Sequence, residues 1–316
     1  MTPVIHNRTS TASLIKARTC RESETPTRAR GLRAPSPRTR RSWLRFSAFC
    51  LLNLCWGFSA RADLVLANFS NTNLLKVMAV GDSITDDCSI NGAWRAPLQP
   101  LLETNGFPFT FTGRQASAPS TGFSKVRHEG YCGAVIASPG VFPAHQYADI
   151  SNCLQKIVPD ALAIATNVPS LMLIFIGVND IGRGRNPYQV ATNDISTLLN
   201  IVFSNAPSVH VGLAKITTLQ NAGLGYSTYA GNVPIYIAML QKLVNQRRAL
   251  GQNVFLADMY SAVDLNTMFL GDYLHPNALG LQAMAIEWLA RVQSITIRTN
   301  RSIQRRSFFD SNNRNA

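Results

Sequence analysis

No run of about 20 apolar residues, the length a helix needs to cross a bilayer, occurs anywhere in the chain. Internal repeats, low-complexity blocks, a phosphate-binding Gly-rich loop and cysteine pairs at zinc-ligand spacing are also missing. Acidic residues are scarce, 17 against 30 Lys and Arg, for a formal net charge of +13. Such a charge suggests a polyanionic partner only if it lies on the folded body. It does not. Residues 1–62 hold 12 of the basic residues against Glu22 and Glu24, and 291–316 hold 6 Arg against Asp310. The span 63–290 keeps 12 basic and 14 acidic residues, with no alternation of aromatic and basic side chains. Nucleic acid is therefore excluded as a partner.

The longest apolar run is Phe46 to Ala60, behind Arg38, Arg40, Arg41 and Arg45 and ahead of the small-x-small pattern Ala60-Arg61-Ala62. A basic flank, a short apolar stretch and small residues make a signal peptide with cleavage after Ala62. The body is then secreted, without a stable membrane span. A type II signal anchor is the alternative, and the Arg-, Ser- and Thr-rich first 45 residues also suit an organellar transit peptide. The sequons Asn68-Phe69-Ser70 and Asn300-Arg301-Ser302 agree with export as a glycoprotein.

Three regions follow: a basic leader over 1–62, a single folded domain over 63–290 and an Arg-rich disordered tail over 291–316. In the domain, strand-length apolar runs at Lys76 to Val80, Phe109 to Thr112, Leu171 to Ile176, Val209 to Ala214 and Asn253 to Ala257 alternate with helical spacing. The helical segments are Ala93 to Thr104, Ile150 to Val158, Pro187 to Ser204, Pro234 to Leu250 and Ala278 to Val292. Alternation of this kind predicts an α/β protein, a three-layer α/β/α sandwich around a five-stranded parallel sheet, with its site at the carboxyl ends of the strands.

Gly81-Asp82-Ser83-Ile84-Thr85 directly follows the first strand, and Asp272-Tyr273-Leu274-His275-Pro276 precedes the last helix. A serine hydroxyl attacks an acyl carbon only when an imidazole takes its proton, and a carboxylate must hold that imidazole in the right tautomer. Ser83, His275 and Asp272 are the residues for these three tasks. Gly177-Val178-Asn179-Asp180 follows the third strand, and His128-Glu129-Gly130-Tyr131-Cys132-Gly133 offers a glycine at which a backbone N–H can approach substrate. The elbow Gly-x-Ser-x-Gly of α/β-hydrolases is absent around Ser83.

These four blocks, in this order from Gly81 to Pro276, resemble the SGNH hydrolase superfamily, also called GDSL esterases and lipases. The resemblance implies a flavodoxin-like fold and a serine carboxylic ester hydrolase. It makes Ser83 the nucleophile, His275 the base, Asp272 its orienter, and the N–H groups of Ser83 and Gly133 with the Asn179 amide an oxyanion hole; Gly130 competes with Gly133. GDSITDD and HEGYCGAVI are most similar to the esterases that deacetylate xylan and related polysaccharides. The expected reaction is removal of O-acetyl groups from carbohydrates through an acyl-enzyme. A lipolytic esterase or lysophospholipase, or an idle binding protein on the same fold, are the alternatives. A monomer is expected, with no cofactor and no metal.

Asp82, Asp86 and Asp87 read as acceptors for loop amides rather than cation ligands, and Asp180 reads likewise. His128 and His145 are candidates for the rim, His210 for the core, and Trp94 and Arg95 for structural support. Gly182, Arg183, Gly184 and Arg185 read as an exposed loop beside the cleft. Cys88, Cys132 and Cys153 remain after the leader, so one bridge and one thiol are expected. A Cys88–Cys132 bridge would tie the nucleophile loop to the oxyanion loop, although the pairing stays open. For the leader, amino-terminal sequencing of secreted protein should begin at Asp63; a start within the first 45 residues would refute cleavage after Ala62.

Overall fold

The computed structural model describes residues 73–137 and 153–312; the leader, the first sequon and His145 lie outside them. The elements are β1 (Leu75–Gly81), α1 (Arg95–Thr104), β2 (Phe109–Thr112), β3 (Gln115–Ala116), β4 (Arg127–Gly130), α2 (Leu154–Leu162), β5 (Leu171–Phe175) and α3 (Val178–Gly182). Then come α4 (Pro187–Gln189), a π-helical turn (Val190–Ile195), α5 (Ser196–Asn205), β6 (His210–Lys215), α6 (Asn232–Ala249), β7 (Val254–Asp258), α7 (Met259–Ala262) and α8 (Ala278–Asn312). The path through the sheet is β3-β4-β1-β5-β6-β7, with β2 also on β1. All pairings are parallel except β3 with β4. This is a three-layer α/β/α sandwich.

Strands buried on both faces need continuous apolar sequence, and β5, LMLIF, is buried at every position. The helices show one apolar stripe instead. In α2, Leu154, Ile157, Val158, Ala161 and Leu162 are buried, a 3-1-3-1 spacing that lines one face. Asn277 caps α8, its Oδ1 accepting the N–H groups of Leu279 and Gly280 at 2.9 and 3.2 Å. Helices α1 and α8 pack together, with Trp94 and Trp288 buried and their ring centroids 5.6 Å apart. Helix α2 packs on α5, and α6 on the π-helical turn.

Two expectations need correction. The tail does not begin at residue 291: α8 runs unbroken to Asn312, and Val292 and Ile295 continue the buried stripe of Met284, Ala285 and Trp288. Among the described residues the sheet has seven strands, not five. The short pair β3 and β4 carries no apolar run, because in β4 Arg127 is exposed and His128 and Glu129 are buried by polar pairing. Glu129 is fully buried; its carboxylate accepts from the Arg114 guanidinium at 3.2 Å and from the Tyr131 hydroxyl at 2.7 Å. Arg114 also donates to the Ile157 carbonyl at 2.9 Å, which joins α2 to this edge.

Removing one partner of a buried ion pair leaves the other charge without compensation. Arg114→Ala should therefore lower the unfolding free energy by about 3 kcal/mol in urea denaturation. Asp160, 73% exposed and 3.7 Å from the same guanidinium, is the contrast: Asp160→Ala should shift it by less than about 1 kcal/mol. Equal effects would contradict the role given to Glu129.

Candidate active site

The site is built where three strands end at one level. In the ladder, Gly81 of β1 lies opposite Gly130 of β4 and Phe175 of β5. A Cβ at position 81 would collide with the Phe175 carbonyl and the Thr85 side chain, so only glycine lets the chain turn there. Ser83 lies two residues beyond this level, Gly133 three residues beyond Gly130, and Asn179 four beyond Phe175. All three line one cleft of about 920 Å³, together with His275.

Ser83 Oγ is 2.9 Å from His275 Nε2, and His275 Nδ1 is 2.6 Å from Asp272 Oδ2. A carboxylate only accepts, so Nδ1 carries the ring proton and the Nε2 lone pair faces the serine hydroxyl. Asp272 Oδ1 accepts the N–H groups of Leu274 and His275, each at 3.0 Å. Partial burial pushes the Asp272 carboxyl up, but the bonds from His275 and these two amides outweigh it and hold it below its usual range. The loop is anchored from outside. Asn221 Nδ2 donates to the Asp272 carbonyl at 2.8 Å, and Leu270 N donates to the His275 carbonyl at 2.8 Å. Tyr273 takes a φ of 52°, in the left-handed region, which leaves its ring exposed while Leu274 is buried against the cleft. A non-glycine residue in that region carries strain, which the flanking hydrogen bonds hold in place.

Between the two candidate glycines the structure separates clearly. Gly130 is buried in β4, where a Cβ would meet the backbone of Asp86. Gly133 lines the cleft with a φ of +71°, and only Arg183 Nη2 comes within 4 Å of a Cβ placed there. Cys88 and Cys132 form a disulfide, with both residues on the cleft wall, and Cys153 is the buried thiol. A loop closed over 44 residues stabilises the fold by about 4 kcal/mol in the chain-entropy model.

The acidic cluster serves the loop. Asp82 Oδ1 accepts Ile84 N at 3.0 Å, and Asp86 accepts the amides of Asp87 and Cys132 at 2.8 and 3.1 Å. Asp180 accepts Ile136 N and is paired with Arg185 at 3.1 Å; burial pushes it up to about 6 against that arginine. His128 is buried beside Asp86 and, lowered first by burial and then by Arg95, falls to about 3. It is a neutral strut, with Nδ1 accepting Gly130 N at 3.1 Å, not a rim residue. His210 is buried on β6. Trp94 and Arg95 brace the nucleophile loop: Trp94 Nε1 donates to Thr85 Oγ1 at 3.2 Å and Arg95 Nε to the Thr85 carbonyl at 3.1 Å.

The stretch 182–185 differs from the expected exposed loop. Gly182 is buried at the end of α3, Arg183 and Gly182 line the cleft, and Arg185 bridges Asp180 and Asp194 at 3.1 and 2.6 Å. Another part of the lining is one that sequence reasoning missed: Gly223, Leu224, Gly225, Tyr226, Thr228 and Tyr229, from the loop after β6. The only signal for it was position, since that loop also leaves the carboxyl end of a strand.

A parallel α/β/α sandwich with serine, histidine and aspartate on strand-end loops, and no nucleophile elbow, defines an SGNH-type hydrolase. Residues 77–288 match the family model for GDSL-like lipase/acylhydrolase, and the chain belongs to that family of carboxylic ester hydrolases. It is 27% identical over 239 residues to a multidomain esterase of Ruminococcus flavefaciens; the match takes in 71% of this chain and 29% of that relative. Two solved structures share the fold. A family 3 carbohydrate esterase of Clostridium thermocellum gives a TM-score of 0.54 at 24% identity, covering 68% of this chain and 93% of that one. A carbohydrate esterase family 3 protein of Talaromyces cellulolyticus gives 0.54 at 23%, covering 70% and 98%. Among the described residues no helix is long and apolar enough to cross a membrane.

Asp82, next to the serine, generates a test. Burial, opposed by the Ile84 amide and reinforced by Asp180, pushes its carboxyl up to about 7. The native state then keeps a proton that the unfolded chain releases near pH 4. The stabilisation is complete below about pH 4 and is lost as pH rises through about 7, so the sign is negative across that window. Asp82→Asn, neutral throughout, should shrink the fall in unfolding free energy between pH 4.5 and 7.5, by an amount on the order of a few kcal/mol. An unchanged fall in urea titrations would show that Asp82 is not the group responsible.

Proposed function

We propose that the chain is a secreted serine esterase that removes O-acetyl groups from carbohydrates such as xylan, with Ser83, His275 and Asp272 as its triad. The observation that carries this reading is the unbroken series Asp272 Oδ2, His275 and Ser83 Oγ, with spacings of 2.6 and 2.9 Å, on the wall of the cleft. Ser83 Oγ attacks the acetyl carbonyl carbon and its proton passes to His275 Nε2. The carbonyl oxygen takes the negative charge, facing the N–H groups of Ser83 and Gly133 and the Asn179 amide. When the C–O bond to the sugar breaks, His275 returns the proton to the leaving hydroxyl. Water then gives a proton to His275 and attacks the acyl-serine, releasing acetate and restoring Ser83.

The part of the cleft lining formed by the loop after β6 and Arg183 carries polar groups that suit a sugar ester. It combines exposed Leu224 and Tyr229 with Gly223, Gly225, Thr228 and the Arg183 guanidinium. Thr228 and the Arg183 guanidinium offer hydrogen bonds to sugar hydroxyls, for which a long acyl chain has no use. The two family 3 carbohydrate esterases that share the fold point the same way.

Acetylated xylan, an aryl acetate and a long-chain aryl ester, each assayed with wild type and Ser83→Ala, test the reading. Wild type should release acetate from xylan and prefer the aryl acetate. Ser83→Ala should lose at least about a thousandfold in kcat. Preference for the long-chain ester would make the protein lipolytic, and turnover that survives Ser83→Ala would remove the triad.

A further inference from the structure

The Asn179 side chain poses a problem that the triad does not solve. An amide is nearly symmetric in shape, and a flipped Asn179 would present its oxygen, not its N–H, to the developing oxyanion. Two neighbours prevent this. The Tyr226 hydroxyl lies 2.9 Å from Asn179 Oδ1, and Asn179 Nδ2 donates to the Ala134 carbonyl at 3.0 Å.

The chemistry of each group sets the direction. A carbonyl only accepts, so Ala134 demands Nδ2. At the other end, Arg183 Nε lies 3.3 Å from the Tyr226 oxygen. A guanidinium only donates, so the phenol must accept there and spend its own proton on Asn179 Oδ1. Burial pushes the Tyr226 hydroxyl above its usual range, against the pull of Arg183, so it remains a donor. One Nδ2 proton is held by Ala134, and the second is left for the cleft.

We infer that Tyr226 is a positioning residue, the middle of a one-way relay from Arg183 through Tyr226 to Asn179 that orients and polarises the oxyanion donor. A positive charge at the start of such a chain strengthens each bond along it and makes the last N–H a better donor. The Ala134 bond adds a second constraint, because Ala134 follows Gly133 directly; the spacing of two proposed donors is held by one hydrogen bond. The relay also accounts for Gly182. The Tyr226 ring lies where a Cβ at 182 would be, in collision with Cγ, Cδ2 and Cε2 of the ring. Tyr226 itself is 47 residues away from Asn179 in sequence.

The inference rests on the ester-hydrolase reading of this site but not on the sugar, so the substrate for its test is an aryl acetate. Failure on acetylated xylan alone would overturn the carbohydrate reading and leave this experiment intact. Tyr226→Phe keeps the ring against Gly182 and removes one oxygen. Its kcat should fall about tenfold, less than the 10²–10³ that deletion of a donor costs, with KM within about twofold and a pH profile of unchanged shape. In an Asn179→Ala background the same change should have no further effect, since the donor it orients is gone. Phosphonylation of Ser83 by an aryl phosphonate uses the same hole without turnover, and its rate should fall in parallel. The proposal is overturned by undiminished kcat and phosphonylation in Tyr226→Phe, by a rise in KM alone, or by an equal loss in the Asn179→Ala background.

Discussion

The register at the end of β1 is the constraint on which the site depends. Gly81 is level with Gly130 and Phe175, so the loops that bear Ser83, Gly133 and Asn179 leave the sheet from one edge and converge within a few residues. A one-residue slip in either pairing would turn the following side chain to the other face of the sheet. The ladder holds the register, and the apolar runs Val77 to Val80 in β1 and Leu171 to Phe175 in β5 bury it from both sides. Glycine at 81 is a steric requirement, because the Phe175 carbonyl and the Thr85 side chain take up the space of a Cβ. Packing in the sheet is thereby converted into the geometry of a reaction.

Beyond the strand ends the material changes. The loops are held mainly by hydrogen bonds from polar side chains. Arg95 and Trp94 grip Thr85, Asp86 reaches Cys132 N, Asp180 takes Ile136 N, and the Cys88–Cys132 bridge ties the first loop to the second. Loops expose many amides, and an apolar filling would leave those amides unsatisfied. Directional bonds also fix orientation, which the oxyanion geometry requires and apolar packing does not provide. Burial is the main reason the carboxyls of Asp82 and Asp180 are raised, with Asp180 adding to the first and Asp194 to the second.

Much of this was legible in the sequence, for identifiable reasons. The strands β1, β2, β5, β6 and β7 showed as short apolar runs because parallel strands are covered on both faces. Ser83, Asn179, Asp272 and His275 showed because each follows a strand or precedes the last helix within a short block. The edge formed by β3 and β4 did not show, because Glu129 is buried by Arg114 and Tyr131 and such pairing has no periodicity. The end of the domain was set too early at residue 290, where the Arg content of the following residues hid a buried stripe through Ile295. The stretch 182–185 looked like an exposed loop because its glycines and arginines are typical of one, yet Asp180 and Asp194 draw Arg185 inward and Tyr226 covers Gly182.

The sequence by itself determined the layer architecture and singled out Ser83, Asp272 and His275 and the blocks around Gly133 and Asn179, since these rest on local periodicity and on residue chemistry. The tertiary structure decided which glycine faces the cleft, which cysteines join, which loop completes the cleft lining and which hydroxyl holds Asn179. Those are contacts between segments 44 or 47 residues apart, or between loops that meet only after the strands have aligned. Spacing along the chain cannot encode them, because the aligned sheet is what brings the partners within bonding distance.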